Sequence, residues 1–302
     1  MQVRILVTGA SGLLGSKIVK KTMDAGHKTF SGYLNNKPKF GQPFLLNFNN
    51  QSSISKTITQ INPDIVIHCA ALTDVDLCET DRDLARKINA ESTKIVAEVS
   101  NQLGVYMAYI STDYVFDGLK GGYKETDETN PINFYGHSKL LGEKSVTKIN
   151  QDYLIARTSV IYGDKPASGK INFALWMIDC LKRRREVKIV TDQFASPTLN
   201  TNLAEMILEA CEKKLNGIYH MAGASKASRY EFAIKLAEKF NLDKNLIKRA
   251  KTEDMNWKAK RPKDSSLNIS KVQKTLTIKS MNLDESLGTL KDEMNFASRN
   301  ND

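Results

Sequence analysis

The first half of the chain alternates between short, continuous apolar runs and longer segments whose apolar residues recur at helical spacing. The apolar runs predict β-strands at residues 3–8, 29–33, 64–69, 105–110 and 153–156. The periodic segments predict helices at residues 13–25, 52–61 (with a serine cap) and 85–103, and a further helix carries Tyr135 and Lys139. Because strands that are apolar at every position suit a sheet covered on both faces, the alternation predicts an α/β fold with a doubly wound parallel sheet.

Beyond about residue 160 the pattern changes to loops, shorter helices and isolated strands. We therefore expect a first domain over residues 1–160 and a smaller C-terminal lobe, interleaved with the first domain, over residues 161–295. Residues 296–302 are expected to form a disordered tail.

The composition is typical of a soluble globular protein, with 302 residues of which 41% are hydrophobic and 26% charged. No apolar run reaches the roughly 18 residues of a membrane-spanning helix, so no membrane partner is expected. The first residues lead into a predicted strand without a signal-peptide pattern. The four cysteines lack metal-ligand or disulfide spacing, and Cys69 is expected to be a small buried apolar residue. These features predict a cytoplasmic protein without a metal site.

The charge balance favours an anionic partner. The chain has 44 lysines and arginines against 34 acidic residues, a formal net charge of +10, which attracts nucleotides, phosphorylated sugars and nucleic acids alike. The densest basic cluster, residues 182–185, ends a helical pattern, where cations complement the helix dipole. Because no nucleic-acid-binding signature accompanies this cluster, we expect no nucleic-acid partner.

A glycine-rich turn, TGASGLLG over residues 8–15, joins the first predicted strand to the first predicted helix. In this setting Gly9 permits the tight turn, Gly12 lets a pyrophosphate approach the backbone, and Gly15 allows close packing of helix against strand. The helix N-terminus then presents free N–H groups to the phosphates. The turn therefore predicts a Rossmann-like dinucleotide-binding domain.

The end of the second predicted strand bears on which dinucleotide binds. An Asp or Glu at this place would hydrogen-bond the adenosine ribose of NAD. This chain has SGYLNNK over residues 31–37 instead, without a carboxylate that would repel the 2′-phosphate of NADP. We place Tyr33 and Lys37 in the cofactor site and favour NADP, as NADPH rather than NADH. Lys37 also suits a solvated loop, so the preference depends mainly on the missing acid.

Tyr135 and Lys139 stand four residues apart on a predicted helix, so their side chains share one face. An ammonium beside a phenol lowers the pKa of the phenol, which would let Tyr135 exchange a proton near neutral pH. The same spacing also occurs on solvated helix faces, so a catalytic pair needs support from the rest of the chain.

Three polar segments combine turn residues with side chains suited to ligands: STDYVFDG (111–118), TDQFASPT (191–198) and KRPKDSSLN (260–268). The first directly follows the fourth predicted strand, and ligands of open α/β sheets bind at the carboxyl ends of strands. Its hydroxyl groups are therefore candidates for a ligand site, although the same residues also suit a plain turn. The third segment places Arg261 in a rigid turn suited to an anionic oxygen.

Together these residues resemble the extended short-chain dehydrogenase/reductase superfamily and, within it, the dTDP-4-dehydrorhamnose reductase family. Further motifs extend the resemblance over nearly the whole chain: HCAALTDVDLCE (68–79), YGHSKLLGE (135–143), RTSVIYG (157–163) and GIYHMAG (217–223). The resemblance implies an NAD(P)-dependent oxidoreductase that reduces the C4 keto group of a 4-keto-6-deoxy sugar nucleotide in dTDP-rhamnose biosynthesis. The C-terminal lobe would bind this substrate, and a homodimer is one assembly that the resemblance allows.

The resemblance also implies roles for single residues. Tyr135 would donate a proton to the developing alkoxide, Lys139 would lower the pKa of Tyr135 and hold the nicotinamide ribose, and Thr112 would hydrogen-bond the carbonyl oxygen. Further residues implied for the cofactor are Ser11, Leu13 and Leu14 in the glycine-rich turn, Asn47 and Phe48 beside the adenine, and Ala71, Leu72 and Thr73 beneath the ribose and nicotinamide. Those implied for the sugar nucleotide are Asp113, Tyr114, Val160, Asn172 and Arg261.

Departures from the family pattern keep other functions open. Val160 stands where rhamnose-pathway enzymes often have a tryptophan, and Lys17 stands where some members have a glutamate that helps bind a bridging metal. Residues 32–40 also resemble the NADP-binding loop of the regulatory β subunit of methionine adenosyltransferase. The alternatives are therefore a non-catalytic, NADP-binding partner of a methionine adenosyltransferase-like catalytic subunit, and a sugar-nucleotide epimerase with the same Tyr and Lys.

Overall fold

The computed structural model describes residues 2–166 and 170–299. Its strands are β1 (Arg4–Thr8), β2 (Lys28–Tyr33), β3 (Gln42–Leu45), β4 (Ile65–His68), β5 (Tyr106–Thr112), β6 (Tyr153–Thr158), β7 (Ile161–Tyr162), β8 (Val187–Val190), β9 (Phe194–Ala195), β10 (Thr198–Leu199), β11 (Gly217–His220), β12 (Ala227–Ser228) and β13 (Ile247–Ala250). Seven of them form one parallel sheet in the order β11-β6-β5-β4-β1-β2-β3. The order reverses between β1 and β4, which creates the crevice where open α/β sheets bind ligands.

The helices are α1 (Gly15–Asp24), α2 (Gln51–Ile61), α3 (Val75–Thr80), α4 (Arg82–Arg86), α5 (Ser92–Gln102), α6 (Phe134–Ile149), α7 (Phe173–Lys182), α8 (Asn200–Glu212), α9 (Arg229–Lys239), α10 (Ser270–Thr275) and α11 (Leu283–Arg299). A π-helical turn, Lys87–Glu91, joins α4 to α5. Within residues 2–166 and 170–299, no helix is both long enough and apolar enough to cross a membrane.

Apolar clusters cover both faces of the sheet. On one face, Ile5 and Val7 of β1 pack with side chains of α1 and α8. On the other face, Leu6 of β1 and Met107 of β5 pack with side chains of α2 and α5. Successive residues of a strand point to opposite faces, so a strand between two helical layers is apolar at every position. The predicted doubly wound α/β fold is confirmed.

The C-terminal part of the chain has an apolar cluster of its own around Tyr162, Phe232 and Leu287. Three short strand pairs, β7 with β10, β9 with β12 and β8 with β13, accompany it. Other segments of this part return to the central sheet, since α8 packs on its face and β11 pairs with β6. The division of the chain at residue 160 stays a prediction.

The structure adds three details to the predicted elements. The cap of α2 is Asn50, whose side chain accepts a hydrogen bond from the Ser53 N–H, and not a serine. The long helix predicted over residues 85–103 is present, but it contains the π-helical turn. The edge strand β3 was missed because its four residues, QPFL, are mostly exposed and form no apolar run.

Candidate active site

A cavity of about 670 Å³ opens at the carboxyl ends of β1, β2, β4 and β5, where the strand order reverses. Most residues predicted for the site line this one cavity: Gly9, Ser11, Gly12, Leu13, Leu14, Gly15, Tyr33, Phe48, Ala71, Leu72, Thr73, Thr112, Asp113, Tyr135, Lys139, Val160 and Asn172. Four predicted residues are not part of its wall, namely Lys37, Asn47, Tyr114 and Arg261.

The glycine-rich turn has the close backbone packing that a dinucleotide-binding turn requires. Gly9 has a φ of +64°, and a Cβ at this position would lie 2.9 Å from backbone atoms of Ala70. A Cβ on Gly15 would collide with the carbonyl oxygen of Gly9. Leu14, which precedes α1, provides no side-chain cap, so no capping side chain competes with an anionic ligand at this helix N-terminus.

The edge of the cavity beyond β2 is formed by Tyr33 and residues 34–36, none of which is acidic. Lys37 is exposed and lies outside the wall, so the structure does not show the predicted contact. Asn47 also lies outside the wall, and its side-chain oxygen accepts a hydrogen bond from the Asn49 N–H at 2.9 Å. Asn49 lines the cavity in its stead.

Thr112, Tyr135 and Lys139 meet at one end of the cavity although they come from two elements. Thr112 ends β5, and the other two lie in α6, whose cap Asn133 accepts a hydrogen bond from the Gly136 N–H at 2.9 Å. Gly136 is required here because a Cβ would collide with the carbonyl oxygen of Tyr114. This close approach brings α6 against the end of β5, and the Thr112 hydroxyl interacts with Tyr135.

The predicted effect of Lys139 on the pKa of Tyr135 stays a prediction, and the structure shows what surrounds the two side chains. The Lys139 ammonium donates a hydrogen bond to the Ile110 carbonyl oxygen at 2.7 Å and lies 4.1 Å from the centroid of the Tyr109 ring. Burial lowers the pKa of Lys139 to about 7. Burial also raises the pKa of Tyr135, and the hydrogen bond with the Thr112 hydroxyl opposes the rise. Tyr135 is therefore a protonated phenol at neutral pH.

Residues predicted for the sugar nucleotide differ in what their side chains do. Val160 lines the cavity with a φ of 42°, a strained backbone conformation for a β-branched residue. Asn172 also lines it, but its side chain caps α7 by accepting from the Leu175 N–H at 3.2 Å and donates to the Gly163 carbonyl.

Tyr114 and Arg261 lie outside the cavity wall. The Tyr114 ring packs edge-on against Tyr135, with their centroids 5.8 Å apart. The Arg261 guanidinium forms an ion pair with Asp76 at 3.1 Å and lies 5.3 Å from the Trp257 ring centroid. A direct contact of Arg261 with a ligand would require this ion pair to rearrange.

The loop of residues 70–73 is held by Asn89 in the π-helical turn. The Asn89 side-chain oxygen accepts from the Leu72 N–H at 2.8 Å, and its amide donates to the Leu72 carbonyl and the Ser138 hydroxyl, each at 3.0 Å. One side chain thus joins this loop to the helix that carries Tyr135 and Lys139. Sequence reasoning missed Asn89, because hydrophobic periodicity does not reveal a π-helical turn.

Residues 3–296 match the model of a protein family described as the RmlD substrate-binding domain. The chain belongs to the RmlD family. A dTDP-4-dehydrorhamnose reductase from Bacillus anthracis, solved in complex with NADP, is 35% identical and superposes with a TM-score of 0.88 over 97% of this chain and 100% of that one. A probable low-salt glycan biosynthesis reductase from Haloferax volcanii is 34% identical over 94% of this chain and 96% of that protein.

The second resemblance is also confirmed. The methionine adenosyltransferase 2 subunit beta of Xenopus laevis is 30% identical over 90% of this chain and 82% of the subunit. The RmlD family assignment therefore fits relatives that are named as reductases and one that is named as a subunit of another enzyme.

Sequence reasoning missed several residues of the RmlD-family cavity. Cys69 packs against the apolar core as expected, but it is only half-buried and also lines the cavity. Lys170 and Ile171 also line it, from a loop that no motif singled out. Among the described residues that line the cavity, the cationic ones are Lys139 and Lys170.

Lys17, which replaces the glutamate of some family members, is paired within the chain. Its ammonium lies 2.9 Å from Asp164 and 3.0 Å from Glu293. Among the residues that the structure describes, no group of three or more His, Cys, Asp or Glu side chains is arranged to hold a metal ion.

Proposed function

We propose that the protein uses NADPH to reduce the C4 keto group of a 4-keto-6-deoxy sugar nucleotide, with dTDP-4-dehydrorhamnose as the first substrate to test. One observation carries the proposal: a single cavity has the glycine-rich turn along one wall and Thr112, Tyr135 and Lys139 along another. The identity of 35% to the Bacillus anthracis reductase supports it, since that protein is named for this substrate.

NADP suits the residues that line the cavity. The glycine-rich turn and the uncapped N-terminus of α1 would hold the pyrophosphate, and Phe48 would lie beside the adenine. Residues 71–73 would pass beneath the ribose and nicotinamide. At the Tyr33 edge no carboxylate of the wall would repel a 2′-phosphate, and Lys37 would approach it from outside the wall.

In the proposed reaction, Tyr135 is the proton donor. Bound NADPH supplies the hydride for the carbonyl carbon. Tyr135 gives its phenolic proton to the carbonyl oxygen as negative charge develops there, because burial keeps the phenol protonated at neutral pH. The phenolate that remains lies one helical turn from Lys139, whose ammonium stabilises the negative charge.

The proposal is tested by NADPH oxidation over a panel of keto-sugar nucleotides, with NADH for comparison. We expect turnover of dTDP-4-dehydrorhamnose, and in Tyr135→Phe a kcat lower by about 100- to 10,000-fold with NADPH affinity retained. Tyr153→Phe, a tyrosine of β6 outside the cavity wall, is the matched control. Absence of turnover across the panel would overturn the proposal, and sugar isomerisation without net NADPH consumption would indicate an epimerase.

A second candidate function is that of an NADP-binding regulatory subunit. The observation that favours it is the 30% identity to the Xenopus laevis subunit over 90% of the chain. This candidate predicts that the protein forms a stable complex with a methionine adenosyltransferase catalytic subunit from the same source and changes its activity. Size-exclusion chromatography of the mixed proteins tests it, and separate elution of the two would exclude it.

A further inference from the structure

The carboxylate of Asp113 accepts hydrogen bonds from three hydroxyl groups at the end of the cavity. Thr112 donates to Oδ1 at 3.0 Å, Ser159 donates to Oδ2 at 2.7 Å, and Ser265 also donates to Oδ2. Asp113 is only 2% exposed, and Ser159 and Ser265 are buried with it. Both carboxylate oxygens therefore have partners within the protein, which argues against the predicted contact of Asp113 with the sugar nucleotide.

The three hydroxyl groups come from segments that are far apart in sequence. Thr112 ends β5, Ser159 follows β6 and precedes the strained Val160, and Ser265 belongs to the loop of residues 260–268. The Ser159 oxygen also accepts from the Ser196 N–H at 3.3 Å. One buried carboxylate thus joins the end of the central sheet to two segments of the C-terminal part.

The contact with Asp113 also decides what the Thr112 hydroxyl can do. A threonine hydroxyl has one proton and two lone pairs. Its proton points to Asp113, and one lone pair accepts from the Tyr114 N–H at 3.2 Å. These two bonds fix the orientation of the Thr112 hydroxyl beside Tyr135, with which it interacts.

We propose that Asp113 is a positioning residue that fixes the orientation of the Thr112 hydroxyl beside Tyr135 and fastens the Ser159 and Ser265 segments around it. The part that concerns Tyr135 rests on the proposed reductase function. Asp113 acts through Thr112 and two serines and touches neither reacting atom.

Two substitutions separate the two parts of this role. In Asp113→Asn the amide oxygen still accepts from Ser159 and Ser265, whereas the amide nitrogen faces Thr112 as a donor and reverses the Thr112 hydroxyl. Asp113→Ala removes the acceptor for Ser159 and Ser265 as well as the acceptor for Thr112. Asp117→Asn is the matched control, because Asp117 lies in the same loop outside the cavity wall.

Hydrogen–deuterium exchange tests the fastening role without any need for turnover. We expect faster exchange over residues 111–116, 157–163 and 261–268 in Asp113→Ala, and exchange close to wild type in Asp113→Asn. Unchanged exchange of these segments in Asp113→Ala would overturn this part. If Asp113→Ala does not fold, Ser265→Ala replaces it. We then expect faster exchange in residues 157–163 as well as in 261–268, because both segments bond the same carboxylate oxygen. Unchanged exchange in 157–163 would contradict the proposal.

Steady-state kinetics of a double-mutant cycle tests the role of Asp113 toward Tyr135. We expect Asp113→Asn to lower kcat by about 10-fold or more with little change in KM. Because Asp113 acts through Thr112, its substitution should cost no further activity in a Thr112→Val background. A full additional loss in that background, or wild-type kcat in Asp113→Asn, would overturn this part. If the wild-type protein turns over no keto-sugar nucleotide, the proposed function fails while the exchange result still decides the fastening role.

Discussion

At the scale of single residues, burial determines the protonation of the side chains around Tyr135. It lowers the pKa of Lys139 to about 7, and it raises the pKa of Tyr135 and of Asp113. The carbonyl of Ile110 and the ring of Tyr109 are the polar and aromatic partners of the Lys139 ammonium. A neutral phenol next to a lysine that titrates near neutrality suits proton donation followed by stabilisation of the phenolate.

The stability of the protein should depend on pH through Lys139. Its pKa is about 7 in the folded protein, against an ordinary value of 10.5, so between these values the unfolded chain binds more protons. The free energy of unfolding should therefore rise with pH in this window, by up to about 1.4 kcal/mol per pH unit. Denaturant unfolding of wild type and Lys139→Met from pH 7 to 10 checks this. The free energy of unfolding of wild type, minus that of the variant, should increase with pH. A value that stays flat or decreases would contradict the prediction.

How much of the site follows from sequence differs from residue to residue. The spacing of Tyr135 and Lys139 places both on one face of α6, and both line the cavity. The spacing does not reveal that Lys139 bonds the Ile110 carbonyl, because that partner comes from β5 and depends on tertiary packing. Asp113 and Asn172 line the cavity, as their predicted place in the site requires. Their hydrogen bonds were not predictable, because those of Asp113 come from segments distant in sequence and Asn172 caps α7.

At the scale of elements, the strongest local constraint is the packing of the glycine-rich turn. Gly15 begins α1 directly against the Gly9 carbonyl, whereas Gly288 lies within α11 and a Cβ there would meet only the Lys239 ammonium, at 3.9 Å. The two glycines therefore form a matched pair, one with no room for a methyl group and one with ample room.

Alanine at these two positions should have opposite effects. Gly15→Ala is expected to destabilise the fold by about 1–3 kcal/mol and to abolish NADPH binding, because the turn must move to relieve the collision. Gly288→Ala is expected to stabilise the protein by up to about 1 kcal/mol, since alanine favours a helix interior. Thermal unfolding and NADPH titration of both variants check this. Normal NADPH affinity in Gly15→Ala would contradict the packing argument.

The elements that sequence predicts best are those whose signal is local. The continuous apolar runs of β1, β4, β5 and β6 mark them as central strands, and the glycine-rich turn marks the start of α1. The π-helical turn and β3 escaped prediction because neither produces a local pattern: one is a single irregular turn, and the other is a short edge strand that depends on its pairing with β2.

At the scale of the whole molecule, the first helix, α1, meets the last helix, α11, near the cavity. Lys17 of α1 forms ion pairs with Glu293 of α11 and with Asp164, and Asn200 at the start of α8 donates to the Leu13 carbonyl at 2.9 Å. The glycine-rich turn is thus supported by elements from the C-terminal part. Ligands that bind this turn should stabilise the whole chain.

Because we expect the site to prefer NADPH, this cofactor should raise the melting temperature of the protein more than NADH does at equal concentration. A ligand at 100 times its Kd adds about 2.7 kcal/mol, which corresponds to a rise of roughly 5 °C for a chain of this size. Lys37→Ala should narrow the gap between NADPH and NADH, whereas Lys39→Ala, an exposed lysine of the same loop, should not. Equal stabilisation by the two cofactors in wild type would contradict the proposed preference.

The transfer of deuterium from NADPH to the sugar tests the proposed reduction of the C4 keto group most directly. The protein is incubated with NADPH deuterated at the transferable position and dTDP-4-dehydrorhamnose, and the product is examined by mass spectrometry and NMR. We expect one deuterium at C4 of the product, and none in reactions with Tyr135→Phe over the same time. A sugar nucleotide recovered without deuterium, from wild-type protein that is folded and binds NADPH, would contradict it.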